Sequence, residues 1–311
     1  MKKYTNIKDI SNLQEIMKDA IFLKSNPFKF KDLGKNKTLV MLFFNSSLRT
    51  RLSTEKAAKN LGMDVMILNV NDAWNLEFED GTIMNASTSE HIKEAAQVIS
   101  QYADVIAVRA FPGLIDKQKD ASEFVINSFI KYATVPIINM ESATAHPLQA
   151  LTDAITINEL AKKLKPKVVL SWAPHPKALP QAVANSFVEI MQKMDLDLTI
   201  THPEGYELNE DITKNTTIDY NQENALKNAD FVYVKNWSSY KDYGKILSQD
   251  KNWMMTKAKI GNAKFMHCLP VRRNVVVEDA VLDGENSVVI PQANNRTYAA
   301  QIILKKILEK L

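Results

Sequence analysis

Residues 47–51 read Ser-Leu-Arg-Thr-Arg and bring two hydroxyls and two guanidiniums into one short segment. The segment follows the apolar run at 38–44 and opens a stretch with helical spacing, which predicts a strand end and then a helix start. These side chains, with the unpaired N–H groups of a first helical turn, bind anions and above all phosphate. Ser47 and Thr50 could serve only as helix caps, but two arginines in a first turn oppose the helix dipole and favour an anionic ligand.

Further reactive side chains follow other apolar runs of the chain. Ligands of open parallel sheets bind outside the carboxyl ends of the strands, so residues at strand ends are the candidates for a site. The imidazole of His146, which precedes a proline at a predicted helix start, can donate to a carbonyl oxygen when neutral. The candidates are Arg109, Glu141, His146, Gln149, Trp172, His175, Lys235 and the segment His267-Cys-Leu-Pro270.

Some of these residues also have purely structural interpretations. Arg109 interrupts an apolar strand, and a buried arginine needs a partner, so a structural ion pair with a carboxylate is an alternative. Cys268 is interpreted as a small buried residue rather than a nucleophile, with its backbone carbonyl more important than its sulfur. His91 and His202 are interpreted as surface or loop residues.

The elements that must position these side chains form a regular alternation. Short apolar runs alternate with amphipathic stretches, which is typical of parallel sheets covered by helices on both faces. The predicted strands are 38–44, 65–70, 104–109, 135–139, 167–172, 197–201, 230–235 and 264–269. The predicted helices are 48–62, 89–102, 121–132, 178–194, 222–228 and 251–258. We therefore predict an α/β fold of two doubly wound parallel-sheet domains with a cleft between them, joined by two long helices at 146–164 and 295–311.

Composition excludes several classes of protein. The chain has 311 residues, 45% of them hydrophobic, with a formal charge of +3 spread along the sequence, which gives no support to nucleic-acid binding. One cysteine excludes an internal disulfide framework and a cysteine-based zinc cluster. No apolar run approaches the ~20 residues of a membrane span, and the N-terminus lacks a signal-peptide pattern, so a cytoplasmic location is expected. Glycine-rich nucleotide-binding motifs are absent.

Three ordered motifs resemble those of the aspartate/ornithine carbamoyltransferases. They are Ser47-Leu-Arg-Thr-Arg51, His146-Pro-Leu-Gln149 and His267-Cys-Leu-Pro270. The resemblance spans essentially the whole chain. It implies a carbamoyl-phosphate-binding domain at 1–145 with 293–311, and a domain for the amine acceptor at 146–292. It also implies a homotrimer with active sites between subunits.

The resemblance assigns a role to each matching residue. Arg109, His146 and Thr50 would be catalytic, stabilising the charge that grows on the carbamoyl oxygen, and Gln149 would fix the carbamoyl amide. Cys268 and Leu269 would offer backbone carbonyls to the carbamoyl NH2 and to the attacking amine. No metal or organic cofactor is implied. The complete implied carbamoyl-phosphate set is Ser47, Leu48, Arg49, Thr50, Trp74, Arg109, His146, Gln149, Cys268, Leu269 and Arg296.

The amine acceptor implied by the resemblance is an N-acylornithine. The Asp-x-x-x-Ser-Met-Gly segment of the ornithine branch is missing, whereas the segment from Trp172 to Pro180 resembles the N-acylornithine branch. Glu141, His175 and Lys235 match its substrate-binding positions, and Cys268 and Leu269 contact the amine. Trp74 would be donated to the neighbouring active site. An ordinary ornithine carbamoyltransferase and a catalytically silent anion-binding homologue remain alternatives.

The residues at two positions indicate different acyl groups on the ornithine. The chain as a whole resembles the succinylornithine branch, and Val276 replaces a lysine typical of the acetylornithine branch. Glu90, however, is typical of the acetyl branch, where the succinyl branch usually has proline. We predict that Glu90 repels a succinyl carboxylate and shifts the preference towards N-acetylornithine. The alternative is that Glu90, which follows Ser87-Thr-Ser89, is a carboxylate at a helix N-terminus, without substrate contact.

Overall fold

The computed structural model describes residues 1–70 and 75–311. Trp74, which the sequence predicts to contact carbamoyl phosphate, therefore lies outside the described residues. The chain divides into two compact units, which are described separately below. The first unit comprises Met1–Gly113, Gln118–Leu148 and Arg296–Leu311, and the second comprises Leu114–Lys117 and Gln149–Asn295.

A four-stranded parallel sheet forms the centre of the first unit, in the order β2-β1-β5-β6. The inner strands β1 and β5 are buried almost throughout, because helices cover a parallel sheet and its strands read as continuous apolar runs. The separate strands β3 and β4 pair with each other in parallel. The bounds are β1 Thr38–Phe43, β2 Asp64–Asn69, β3 Leu76–Glu77, β4 Glu90–His91, β5 Val105–Arg109 and β6 Ile137–Glu141.

Two helices in the first half of the chain begin where a polar side chain accepts from a free N–H group. Ser47 Oγ accepts from Thr50 N at 3.3 Å at the start of α2, and His91 Nδ1 accepts from Lys93 N at 3.2 Å at the start of α3. The bounds are α1 Leu13–Ser25, α2 Leu48–Asn60, α3 Ile92–Tyr102, α4 Lys117–Ala121 and α5 Phe124–Tyr132.

The second unit contains a five-stranded parallel sheet in the order β11-β10-β7-β8-β9. Its core includes Val169, Val232 and Phe265, all fully buried. The strands are β7 Lys167–Trp172, β8 Asp197–Thr201, β9 Thr217–Ile218, β10 Phe231–Lys235 and β11 Lys264–Met266. The remaining helices are α6 Pro147–Leu160, α7 Ala182–Met191, α8 Glu210–Thr213, α9 Gln222–Leu226, α10 Lys257–Ile260, α11 Asp279–Leu282 and α12 Val289–Leu308.

The predicted α/β fold with parallel sheets and two long connecting helices is confirmed. The chain passes from the first unit to the second near the start of α6, and returns within α12. The helix predicted at 146–164 is shorter, at Pro147–Leu160, and the one predicted at 295–311 lies earlier, at Val289–Leu308. Across residues 1–70 and 75–311, none of the helices combines the length and apolar character that crossing a bilayer requires.

Three predicted elements need correction. The strand predicted at 264–269 ends at Met266, because His267 N donates to a side chain, Gln292 Oε1, instead of continuing the ladder. The strand predicted at 135–139 is Ile137–Glu141, since Pro136 lacks an N–H. The helix predicted at 251–258 is a short 3-10 turn and the four-residue α10.

Candidate active site

Three predicted phosphate ligands meet at the start of α2. Thr50 Oγ1 accepts from Arg109 Nη1 at 3.3 Å and from Arg296 Nη2 at 2.7 Å. Arg109 ends β5 and Arg296 lies on α12, and all three side chains are at least nine-tenths buried. Two guanidiniums that converge on one hydroxyl concentrate positive charge in a buried place, which favours an anionic ligand.

The other residues of the Ser-Leu-Arg-Thr-Arg segment lie partly at the site and partly against the sheet. Ser47 caps α2, as one interpretation held, and Arg49 is half-buried in the same turn. Leu48 is 67% exposed, so its backbone N–H rather than its side chain suits a role in anion binding. Arg51 turns to the sheet instead: its guanidinium lies 5.6 Å from the Phe43 ring centroid and donates to Asn69.

A buried carboxylate, Glu141, joins two of the predicted catalytic residues. It forms an ion pair with Arg109, and its Oε2 lies 3.3 Å from His146 Nε2. Arg109 thus has the carboxylate partner that one interpretation of the sequence required. A histidine nitrogen beside a carboxylate bears a proton, so His146 presents Nε2 as a donor. Glu141, predicted as an acylornithine ligand, lies within the first unit beside these two residues.

The turn between Glu141 and His146 is held by Glu123, a residue that sequence reasoning missed. Glu123 Oε1 accepts from Thr144 N at 2.8 Å and from Thr144 Oγ1 at 2.5 Å, and Oε2 accepts from Ala143 N at 3.2 Å. Glu123 has a φ of 52°, a left-handed conformation that is costly for a residue with a Cβ. No local spacing indicates this contact, because it joins residues 20 positions apart.

Four buried polar residues form a hydrogen-bonded network in the second unit. Asp153 Oδ1 accepts from Gln149 Nε2 and from Gln292 Nε2, both at 2.7 Å. Gln292 Oε1 in turn accepts from His267 N at 3.0 Å. Gln149 was predicted, whereas Asp153 and Gln292 were missed. The available signal was the one charged residue in the stretch 148–157, four residues after Gln149.

At the other positions predicted to bind the amine acceptor, positively charged side chains lie close to a neutral histidine. His175 Nε2 accepts from Arg272 Nε at 3.0 Å. Burial lowers the pKa of His175, and the positive charges of Lys235 and Arg272 lower it further. This cluster suits a carboxylate ligand. Arg272 was not predicted, although it lies two residues after the His267-Cys-Leu-Pro270 motif.

The tryptophans of the second unit are structural. Trp172 and Trp237 are fully buried, and Trp172 Nε1 donates to Trp237 O at 3.0 Å. Trp253 packs edge-on against Trp172, with ring centroids 6.1 Å apart. The strand-end candidate Trp172 therefore packs in the core.

The structure revises the interpretation of two residues. His202 lies in the loop after β8, as expected, but it is 1% exposed rather than on the surface, and burial lowers its pKa. Cys268 is half-buried rather than buried. Glu90 pairs with Leu76 in β4 and directly precedes His91, which caps α3, so it lies next to a helix N-terminus.

In the part of the chain that the structure describes, no group of three or more His, Cys, Asp and Glu side chains could hold a metal ion. The polar groups of the site are instead suited to binding an anion and to stabilising charge on a carbonyl oxygen.

Both parts of the chain match models of one family. Residues 2–159 match "Aspartate/ornithine carbamoyltransferase, carbamoyl-P binding domain", and residues 180–307 match "Aspartate/ornithine carbamoyltransferase, Asp/Orn binding domain". The chain is 50% identical to N-succinylornithine carbamoyltransferase of Bacteroides thetaiotaomicron, with 100% of both chains covered. It is 38% identical to N-acetylornithine carbamoyltransferase of Xylella fastidiosa, with 92% of this chain and 93% of the relative covered.

Solved structures of N-acetyl-L-ornithine transcarbamylase have the same fold. One, complexed with acetylcitrulline, has a TM-score of 0.93 and 36% identity, and 99% of each chain is covered. Another, with the same TM-score and identity, covers 99% of this chain and 100% of that chain. It is a variant in which alanine replaces a glutamate, complexed with carbamyl phosphate and N-succinyl-L-norvaline. With its three motifs and these similarities, the chain belongs to the aspartate/ornithine carbamoyltransferase family of enzymes.

Proposed function

We propose that this enzyme transfers the carbamoyl group of carbamoyl phosphate to the side-chain amine of an N-acylornithine. The products are an N-acylcitrulline and phosphate, in arginine biosynthesis. The observation that carries the proposal is the convergence of Arg109 and Arg296 on Thr50, a buried phosphate cradle. The relatives named above add the acceptor class, because those with the highest identity quoted are N-acylornithine enzymes.

The reaction follows from the charges of the site. The neutral amine attacks the carbamoyl carbon, a C–N bond forms, and negative charge grows on the carbonyl oxygen. Arg109, Thr50 and the Nε2 proton of His146 stabilise that oxygen. The bond from carbon to the phosphate oxygen then breaks, and the departing phosphate takes the proton lost by the amine. Arg49 and Arg296 favour the departure by neutralising the phosphate.

Residues of both proposed domains would bind the amine acceptor. Lys235 and His175 would bind its carboxylate, and the carbonyls of Cys268 and Leu269 would orient the amine. Glu141 and Glu90 complete the proposed set. We accordingly propose 1–145 with 293–311 as the carbamoyl-phosphate domain, and 146–292 as the N-acylornithine domain.

The acyl group is proposed to be decided at Glu90. Its carboxylate, half-buried in β4, would repel the second carboxylate of a succinyl group. Two like charges about 4 Å apart repel by roughly 4 kcal/mol at an effective dielectric constant near 20. The glutamate variants complexed with a succinylated ligand in a related enzyme support such a role for a glutamate. We therefore propose a succinylornithine-type scaffold that prefers N-acetylornithine.

A homotrimer in the cytoplasm is the proposed state of the enzyme, with Trp74 donated to the neighbouring active site. Leu48 and Leu52, one turn apart on α2, are 67% and 58% exposed, and Met66 on the edge strand β2 is 54% exposed. Exposed apolar side chains of this size suit burial by a second copy. Sedimentation of the purified enzyme should give three times the chain mass of 35.1 kDa, and a monomer would contradict the proposal.

A product assay tests the proposed function. Carbamoyl phosphate is supplied with free, N-acetylated or N-succinylated ornithine, and the citrulline products are identified by mass. Formation of an N-acylcitrulline supports the proposal. Formation of citrulline from free ornithine alone would show an ordinary ornithine carbamoyltransferase. No product from any acceptor would indicate a catalytically silent anion-binding protein.

A further inference from the structure

The buried carboxylate of Asp153 binds two glutamine side chains at once. Its Oδ1 accepts from Gln149 Nε2 and from Gln292 Nε2, both at 2.7 Å. Asp153 is fully buried and each glutamine is 1% exposed. A carboxylate is unfavourable in such surroundings unless its oxygens accept hydrogen bonds, so the arrangement holds both amides firmly in place.

One end of this network reaches the segment that follows β11. Gln292 Oε1 accepts from His267 N at 3.0 Å, and His267 Nδ1 accepts from Leu269 N at 2.8 Å. The strand ladder ends at Met266, so these side-chain hydrogen bonds hold the backbone where the ladder no longer does. Asp153 therefore fixes His267, through Gln292, immediately before Cys268 and Leu269.

The other end fixes the orientation of the Gln149 amide. A glutamine amide has an NH2 side that donates and an oxygen side that accepts. The bond from Nε2 to Asp153 fixes which way the amide faces, and Oε1 is then the acceptor that Gln149 offers to a carbamoyl NH2. An oxygen is the correct partner for the carbamoyl NH2, whereas the NH2 face of the amide would repel it.

A tyrosine of β10 adds to the same surroundings. Tyr233 is fully buried. Burial raises its pKa far above the ordinary value, and the nearby Asp153 and Cys268 raise it further. The phenol is therefore neutral and brings no second negative charge to the carboxylate.

We propose that Asp153 is a positioning residue for carbamoyl transfer. Through Gln149 and Gln292, one carboxylate sets the groups that hold the carbamoyl NH2 and the attacking amine. The inference rests on the proposed function, since that function assigns those two groups to Gln149 and to the carbonyls of Cys268 and Leu269. Asp153 itself takes part in no bond-making step.

Thr156 offers a matched control for a merely structural role. It lies one turn further along α6 and is fully buried. Its Oγ1 donates to Thr152 O at 2.8 Å and accepts from Asn295 Nδ2 at 3.0 Å. Thr156 therefore links α6 to α12, as Asp153 does through Gln292, but among the hydrogen bonds of the described residues it has none to Gln149 or His267.

The experiment compares Asp153→Asn, Gln292→Leu and Thr156→Val in the full chain. For each variant, kcat, the KM for carbamoyl phosphate, and the affinities for carbamoyl phosphate and for inorganic phosphate are measured, with urea unfolding alongside. Misplacement of contacts by about 1 Å can cost 10²-fold in rate, so kcat should fall about 10- to 100-fold in the first two variants. Affinity for inorganic phosphate should stay nearly constant, because the proposed ligands of the phosphate group, around Thr50, are unchanged. Thr156→Val should lose stability but keep its kcat.

Two results would overturn the inference. One is a fall in kcat no larger in Asp153→Asn and Gln292→Leu than in Thr156→Val. The other is an equal loss of affinity for carbamoyl phosphate and inorganic phosphate, which would show general damage. Failure of the proposed function looks different: the unaltered enzyme would then form no product from any acylornithine.

Discussion

Arg296 Nη2 donates to Thr50 Oγ1 at 2.7 Å, although 246 residues separate the two in the chain. The same hydroxyl accepts from Arg109 Nη1. A single short side chain therefore fixes two long cationic ones, and their positions for the proposed phosphate binding depend on it.

Replacing Thr50 with valine should remove this fixed point while keeping the side-chain shape. The buried guanidiniums lose an acceptor, which costs about 1–3 kcal/mol, and the KM for carbamoyl phosphate should rise about tenfold. Thr50→Ser retains the hydroxyl and serves as the control. Steady-state kinetics measures both, and an unchanged KM in Thr50→Val would contradict the expectation.

Glu123 should matter to catalysis more than to stability. Glu123→Gly removes the carboxylate that holds residues 142–144, yet it relieves a left-handed conformation that costs about 1–2 kcal/mol. We expect kcat to fall about tenfold or more, because His146 follows the released turn, while the free energy of unfolding changes little. Glu123→Gln, which keeps one acceptor oxygen, should lie between this variant and the unaltered enzyme. A kcat equal to that of the unaltered enzyme in Glu123→Gly would rule out a role for the turn.

Acid should destabilise the fold partly through His202. Burial lowers its pKa in the folded state below the ordinary value near 6.5, so the unfolded chain binds the proton more readily. Well above pH 6.5 the imidazole is neutral in both the folded and the unfolded state, so no stability is lost. Stability should then fall as the pH decreases from 6.5 to the lower folded pKa, by at most about 1.4 kcal/mol per pH unit from this group. His202→Phe should remove that part of the slope in urea unfolding between pH 7 and pH 5. Identical slopes for the unaltered protein and for His202→Phe would contradict this expectation.

Glu90 should control the acyl preference. Glu90→Pro and Glu90→Ala remove the carboxylate, and both should raise the ratio of kcat/KM for N-succinylornithine to that for N-acetylornithine by about tenfold or more, which corresponds to 1.4 kcal/mol. Agreement between the two variants would exclude a backbone effect of proline on the pairing with Leu76. The idea fails if the preference stays the same in both.

Short-range signals made most of the fold predictable. The run at 38–44 and the following Ser-Leu-Arg-Thr-Arg segment encode their strand and helix start locally, and Ser47 is indeed the cap. Contacts made over long separations were different. Glu123 meets the turn at 142–144 and Asp153 meets Gln292 only after folding, so the sequence around each residue does not indicate these partners.

The burial of His202 is a second feature that the local sequence does not indicate. Its sequence context, beside Pro203 after an apolar run, suggested a loop. The structure buries it against Trp237 and Tyr220, with ring centroids 6.2 and 5.3 Å away. Side chains from distant parts of the chain enclose the imidazole, which no local pattern could indicate.

The return of α12 to the first unit has a consequence for the order of events during synthesis. Arg296 and the buried Ile302, Ile303 and Ile307 belong to the first unit, but the ribosome makes them after the whole second unit. A nascent chain must therefore keep part of its first hydrophobic core open until α12 emerges. The cluster of Arg109 and Arg296 around Thr50 can be completed only then, so no growing fragment that lacks Arg296 contains it.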